Sequence, residues 1–273
     1  MRAILTVLGS GTSMGVPTIG CDCRVCTSAD PHDRRTRPSI LLQYAGHSVL
    51  IDTTPDFREQ AIREQIRHLD AVLYTHAHAD HILGLDDLRP LSYHRPNGKI
   101  PLYANAQTAE LIRTVFHYIF ASEYKYGGLA QVEMRDLTQS VELFGAKFEP
   151  VVVLHGDAEI YGFRFGTAAY LTDFSEIPAA SMAQLQGLDL LFLDALRHRP
   201  HPTHSTVENS LRIVEELRPR RAFFTHICHD LPHEETNATL PPHVRLAYDG
   251  LKLDFDIGAS SIQIPMADER EPH

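Results

Sequence analysis

A chain of 273 residues with a formal net charge of -10 and four cysteines can bury a large core. It lacks the excess of Lys and Arg that gives a broad grip on nucleic-acid phosphates, and its thiols are too few for a disulfide scaffold. No stretch approaches the roughly 18 uninterrupted apolar residues of a membrane span, and the opening MRAILTVLGSGT reaches glycine too soon for a signal-peptide core, so the expected location is the cytoplasm. No repeat, low-complexity block or long Gly/Ser linker breaks the chain, and residues 1–273 read as one domain ending in the polar tail MADEREPH.

In chain order, AILTVLG is the first strand-like run, followed by LGSGTSMGVP. Gly9, Gly11 and Gly15 give GxGxxxG, but Val16, Pro17 and a cysteine cluster follow where a dinucleotide loop needs a helix. A tight turn bringing backbone close to a functional rim is the better account. Cys21, Cys23 and Cys26 in GCDCRVC form a turn-rich loop at about 20–27 where thiolates can converge, and a tetrahedral zinc would need a fourth ligand, Cys228 or His229. RRTRP, from Arg34 to Pro38, reads as a short, solvated basic patch.

SILLQY and HSVLID are the next strands, the second closing on Asp52, and PDFREQAIREQIRHL (55–69) carries helical periodicity. AVLYTH then ends on His76 and runs into HADH. In extended backbone His76 and His78 point the same way, while Asp80 and His81 fall where the chain turns into a helix expected from about Ile82. That arrangement suits two ions lying close together. Further on come the helix pattern NAQTAELIRTVFHYIF (105–120) and the strands FEPVVVLH, AAYLTD, LLFLDAL and RAFFTH. STVENSLRIVEELRP predicts a helix opened by Ser205 and Glu208 as a capping box, with Val207, Leu211, Val214 and Leu217 buried.

Six of these runs end on or beside a potential ligand: Asp52, His76, His155, Asp173, Asp194 and His226. Strand ends can meet at one rim of a sheet, where rigid elements hold polar groups in place. Imidazole and carboxylate donors suit Zn, Mn or Fe. The helical zinc-protease motif is absent, because HEETN at His233 fails at its fifth position.

THAHADH resembles the HxHxDH signature of the metallo-β-lactamase fold hydrolases, and His155, Asp173 and His226 follow in the order of that superfamily's later ligands. The resemblance runs from LGSGTSMGVP to THICHD, nearly the whole chain. It implies an α/β fold, a four-layer αββα sandwich with metals at one edge. His76, His78 and His155 would hold one ion and Asp80, His81 and His226 the other, with Asp173 bridging and Asp52 orienting a ligand from behind. The spacing of THICH is closest to the phosphoribosyl cyclic phosphodiesterases of phosphonate catabolism, whose pattern selects His229 over Cys228 as the fourth ligand of a structural zinc.

The cofactors implied are therefore two divalent ions, Mn or Zn, in the active site and one structural Zn. Two ions roughly 3.5 to 4 Å apart can hold a bridging hydroxide for in-line attack at phosphorus. The expected function is hydrolysis of a small cyclic phosphodiester such as 5-phospho-α-D-ribosyl 1,2-cyclic phosphate, by a homodimer as the resemblance suggests. Asp80 and His204 are the candidate catalytic groups. His201 and His204 lie in DALRHRPHPTHST, where a histidine could bind phosphate and protonate the departing alkoxide, and His204 is preferred because it precedes a predicted helix N-terminus. The alternatives are an RNA-processing nuclease, disfavoured by the acidic charge, a cofactor-biosynthesis hydrolase, and a metal-binding scaffold without catalysis. Turnover during metal titration separates the scaffold from the enzymes.

Overall fold

The computed structural model describes residues 1–93, 98–121 and 128–258, and the polar tail MADEREPH lies outside them. Most of the first half of the chain builds one sheet: β1 (Arg2–Gly9), β2 (Ser39–Tyr44), β3 (His47–Ile51), β4 (Ala71–Leu73), β5 (Ile100–Ala104) and β6 (Val132–Asp136). The second sheet takes β7 (Val141–Leu143), β8 (Ala146–His155), β9 (Ala158–Phe165), β10 (Ala168–Leu171), β11 (Leu190–Asp194), β12 (Arg221–Thr225) and β13 (Val244–Leu246). A last strand, β14 (Lys252–Asp256), crosses back to pair antiparallel with β1 and completes the first sheet.

The apolar runs are buried on both faces, and side-chain alternation explains why. In β11, Leu190 and Phe192 point into the core between the sheets, while Leu191 and Leu193 point into a second core under helices. In β3, Val49 and Ile51 join the inter-sheet core and Leu50 a third one. Helices α1 (Phe57–Arg63), α2 (Ala79–Ile82), α3 (Arg89–Tyr93), α4 (Ala106–Val115) and α5 (His117–Phe120) follow the strands of the first sheet. The outer core of that sheet takes Phe57, Ile82 and Ile112 from them. Helices α6 (Ala179–Gln184), α7 (Val207–Leu217) and α8 (His233–Thr239) lie among the strands of the second, whose outer core takes Val207, Val214 and Leu217 from α7. The result is the expected αββα sandwich.

Several elements differ from the sequence reading in extent. The helix expected over 55–69 stops at Arg63, because Gln65 adopts a left-handed φ of 55°. The run 105–120 breaks at Phe116, between α4 and α5. The helix expected near Ile82 begins at Ala79, so Asp80 and His81 lie within its single turn. The cap of α7 is Thr206, which accepts from the Asn209 amide at 3.1 Å, while the Ser205 hydroxyl meets Ser210 Oγ at 2.8 Å.

β8 and β10 run in one direction on either side of β9, and β10 to β13 are mutually parallel, as are β3 to β6. The carboxyl ends of β3, β4, β8, β10, β11 and β12 carry or precede Asp52, His76, His155, Asp173, Asp194 and His226. That is the edge at which parallel sheets place ligands.

The LGSGTSMGVP turn approaches neighbouring backbone closely. A Cβ on Gly9 would fall 1.9 Å from the carbonyl oxygen of Arg37, so Gly9→Ala is expected to destabilise the fold by about 1–3 kcal/mol through overpacking. Urea unfolding checks this, and an unchanged midpoint would mean that the turn is far more compliant than its contacts indicate.

Candidate metal centre and cysteine cluster

At the carboxyl edge of the strands, two four-residue groups of ligand-type atoms share one residue. His76, His78, His155 and Asp173 form the first and Asp80, His81, Asp173 and His226 the second; within each, all ligand atoms lie within 4.8 Å of one another. Asp173 Oδ2 sits 3.2 Å from His226 Nε2, 3.4 Å from His81 Nε2 and 3.8 Å from His76 Nε2. Asp80 Oδ2 is 3.3 Å from His81 Nε2 and 3.7 Å from His226 Nε2. These spacings are long for charge-assisted hydrogen bonds. They suit two donors sharing an ion, which at roughly 2.1 Å from it would stand about 3.4 Å apart.

The Nε2 atoms of His76, His81 and His226 and Oδ2 of Asp80 are buried with no hydrogen-bond partner. Native proteins rarely leave such atoms unpaired, and here they converge. The donor set and its unsatisfied atoms thus fit divalent cations.

Electrostatics divide the centre in two. Burial alone would raise the Asp80 and Asp173 carboxyls, but the His81 charge at Asp80 and the His226 and His81 charges at Asp173 hold both well below the usual carboxylate range. In return the carboxylates overcome burial at the imidazoles beside them, raising His81 and taking His226 to about 9. Burial keeps His76 and His155 low, hence neutral and ready to ligate.

Neighbours outside the two groups fix the ring orientations. His81 Nδ1 donates to Asp52 Oδ2 at 2.8 Å, and Asp52 also accepts from the Thr75 amide at 2.9 Å and its hydroxyl at 2.8 Å. His155 Nδ1 donates to the Thr203 carbonyl at 2.8 Å. Each bond turns the opposite nitrogen toward the centre, where it can ligate once it carries no proton. Asp52, Asp173 and His226 all have left-handed φ, at 65°, 58° and 57°, a conformation costly for residues with a Cβ and concentrated at functional sites.

His204 stands at the rim. Its ring stacks on His226 at 4.7 Å and meets His155 at 4.8 Å, and its Nδ1 donates to the fully buried Asp194 at 2.8 Å. His201 is one ring further out, 4.9 Å from His204.

The cysteine loop closes against the segment after His226. The Sγ atoms of Cys21, Cys23 and Cys26 lie 3.2, 3.5 and 3.3 Å from His229 Nδ1, and the four form one compact ligand group. Cys228 Sγ is outside that group and accepts from the Asp230 amide at 3.4 Å. The amide of Cys26 draws the Cys23 thiol down to about 7, whereas burial pushes Cys26 up to about 11.

One sequence expectation fails nearby. RRTRP is not uniformly solvated: Arg35 is 1 % exposed and donates to the Cys228 carbonyl beside His229. Nothing in its composition separates Arg35 from Arg34, which faces solvent. Thr203 was also missed, and it acts through a carbonyl that every residue possesses.

With this geometry in place, comparison with known proteins identifies the family. The chain belongs to the metallo-β-lactamase fold family, matching the beta-lactamase superfamily domain over residues 47–227. Its branch is that of the PhnP family: it is 64% identical to a solved structure of a new diphosphatase from that family, with a TM-score of 0.90, covering 94% of this chain and 98% of the other. Among curated proteins, it is 41% identical over 261 residues to an octanoyltransferase of Porphyromonas gingivalis. The match covers 94% of this chain, which spans about half, 52%, of that relative. Zn(2+)-bound PqqB from Methylobacterium extorquens shares the fold at 21% identity and a TM-score of 0.74, over 92% of this chain and all of the other.

Proposed function

We propose that this protein is a metal-dependent phosphodiesterase that opens a small cyclic phosphodiester such as 5-phospho-α-D-ribosyl 1,2-cyclic phosphate. The observation that carries this reading is the position of Asp173 Oδ2 between the imidazoles of both ligand groups. In this reading His76, His78 and His155 hold one divalent ion, Mn or Zn, and Asp80, His81 and His226 the other, with Asp173 shared. Cys21, Cys23, Cys26 and His229 hold a structural zinc. Bound divalent cations supply Lewis acidity and make water a stronger acid.

The chain's own residues supply orientation and proton transfer. Asp52 and the Thr203 carbonyl lock the His81 and His155 rings. Asp194, accepting from His204 Nδ1, leaves Nε2 as the atom that carries a proton to the departing alkoxide, and its carboxylate stabilises the imidazolium. His204→Ala is therefore expected to slow hydrolysis of an alkyl phosphodiester by about 10²- to 10⁴-fold and to have little effect on a p-nitrophenyl diester, whose leaving group needs no acid. Equal losses on both esters would remove His204 as the acid.

The diphosphatase at 64% identity favours a second reading, cleavage of a diphosphate. The same ions would serve, and the phosphate leaving group would depend less on His204. Phosphorus NMR of the Mn-loaded protein with the ribosyl cyclic ester, a nucleoside diphosphate and a 2′,3′-cyclic nucleotide decides, with His78→Ala as control. Metal-dependent opening of the ribosyl ester alone supports the first reading, and cleavage of the diphosphate alone replaces it with the second. The homodimer expected from the sequence resemblance is part of this proposal, and sedimentation would test it.

A further inference from the structure

The Arg35 side chain is fully enclosed, yet it is a cation, and burying a charge is costly unless every donor finds an acceptor. Its acceptors are specific. Nη1 donates to the Cys228 carbonyl at 2.9 Å, Nη2 to the Leu231 carbonyl at 2.6 Å and to Asp33 Oδ1 at 3.0 Å, and Nε to the His32 carbonyl at 3.2 Å. Cys228 and Leu231 bracket His229. Asp33 Oδ1 accepts a further bond from the His233 amide at 2.9 Å, closing the far end of the same turn.

The backbone of Arg35 faces the other partner. It exchanges two hydrogen bonds with Val16, at 2.8 and 2.9 Å, on the strand-like stretch that leads into the cysteine loop. Its carbonyl lies where a Cβ on Gly11 would meet it at 2.7 Å. Gly11 in turn bridges Ile227, whose amide donates to the Ser10 carbonyl at 2.9 Å, immediately after His226.

We infer that Arg35 is a positioning residue that couples the two metal-type sites. Its guanidinium fixes the turn presenting His229 to the three thiols. Through Cys228 and Ile227 the same anchor sets the backbone of His226 at the catalytic edge. A planar fork is required because the Cys228 and Leu231 carbonyls are engaged by different nitrogens of one rigid group, which a lysine ammonium cannot reproduce.

The catalytic half of this inference rests on the phosphodiesterase reading, whereas zinc retention does not. The test uses the full zinc-loaded chain with Arg35→Met, Arg35→Lys and a core variant, Phe148→Leu, as a control for general destabilisation. Zinc release to a colorimetric chelator is followed with kcat and KM in Mn. Arg35→Met is expected to release zinc about tenfold faster and to lose about tenfold in kcat with KM nearly unchanged, and Arg35→Lys to recover only part of either. Release and kcat matching Phe148→Leu would overturn the inference. If Arg35→Met does not fold, Arg35→Lys decides: wild-type zinc retention there overturns it, and faster release supports it. A wild-type chain whose thiols hold no zinc overturns both the cluster and the role of Arg35, whereas a zinc effect without any phosphodiester turnover sinks only the activity reading.

Discussion

Asp173→Asn is expected to reduce phosphodiester turnover by about a thousandfold or more, some 4 kcal/mol of barrier, and, on the proposed two-ion reading, to lower the divalent metal bound at the active edge from two ions to at most one. The amide keeps the shape and one acceptor oxygen but loses the charge. Among the described residues, no other carboxylate approaches His76, His81 and His226 within 4 Å of each, as Asp173 Oδ2 does. Metal analysis by mass spectrometry and phosphorus NMR rates read the two consequences separately, and circular dichroism checks that the variant is folded. A folded variant with full metal content and near-normal turnover would remove the shared carboxylate from the mechanism.

The metal-free protein is expected to lose stability as pH rises from about 6.5 to 9, the reverse of the metal-loaded protein. His226 is raised to about 9 by Asp173 and Asp80 against the opposing effect of burial, and His81 is raised as well. A histidine whose folded value exceeds its unfolded one stabilises fully below about 6.5, and that contribution is lost as pH rises through about 9; for His226 it is at most about 3 kcal/mol. Cations must displace those protons, so metal binding and the stability it confers strengthen with pH. Urea midpoints of chelated and Mn-loaded protein at pH 6.5 and 9 measure both slopes. The thiols titrate too, so chelated Asp173→Asn is the control: it keeps the thiols, loses the carboxylate, and should show a much flatter imidazole contribution. An identical slope in the two chelated chains would refute the pairing of these imidazoles with Asp173.

The inner strands were legible because they are apolar on both faces: LLFLD and SILLQY read as strands without help from their neighbours, whereas the four-layer sandwich came from the resemblance carried by THAHADH and the later ligands. Weaker strands were missed for identifiable reasons. IPLYA in β5 contains Pro101, AEIYGFRF in β9 contains Gly162, and KLDFD in β14 is a mostly exposed edge whose pairing with β1 is fixed only by the fold. The ligand-type residues stood out because most end or closely follow a strand and the rest crowd into HADH, and the structure gathers them at one edge. Arg35 and the Thr203 carbonyl did not stand out. Their roles depend on which backbone happens to lie opposite, and no local pattern encodes that.

The division of the chain between two sheets has a further consequence. His76, His78, Asp80 and His81 come from the half that builds the first sheet, and His155, Asp173 and His226 from the half that builds the second. Neither half holds all the residues of either ligand group. On the proposed reading, occupancy of the centre would therefore report assembly: the first ligand group is complete only once synthesis has passed Asp173 and the second only once it has passed His226, each with residues of both halves brought together.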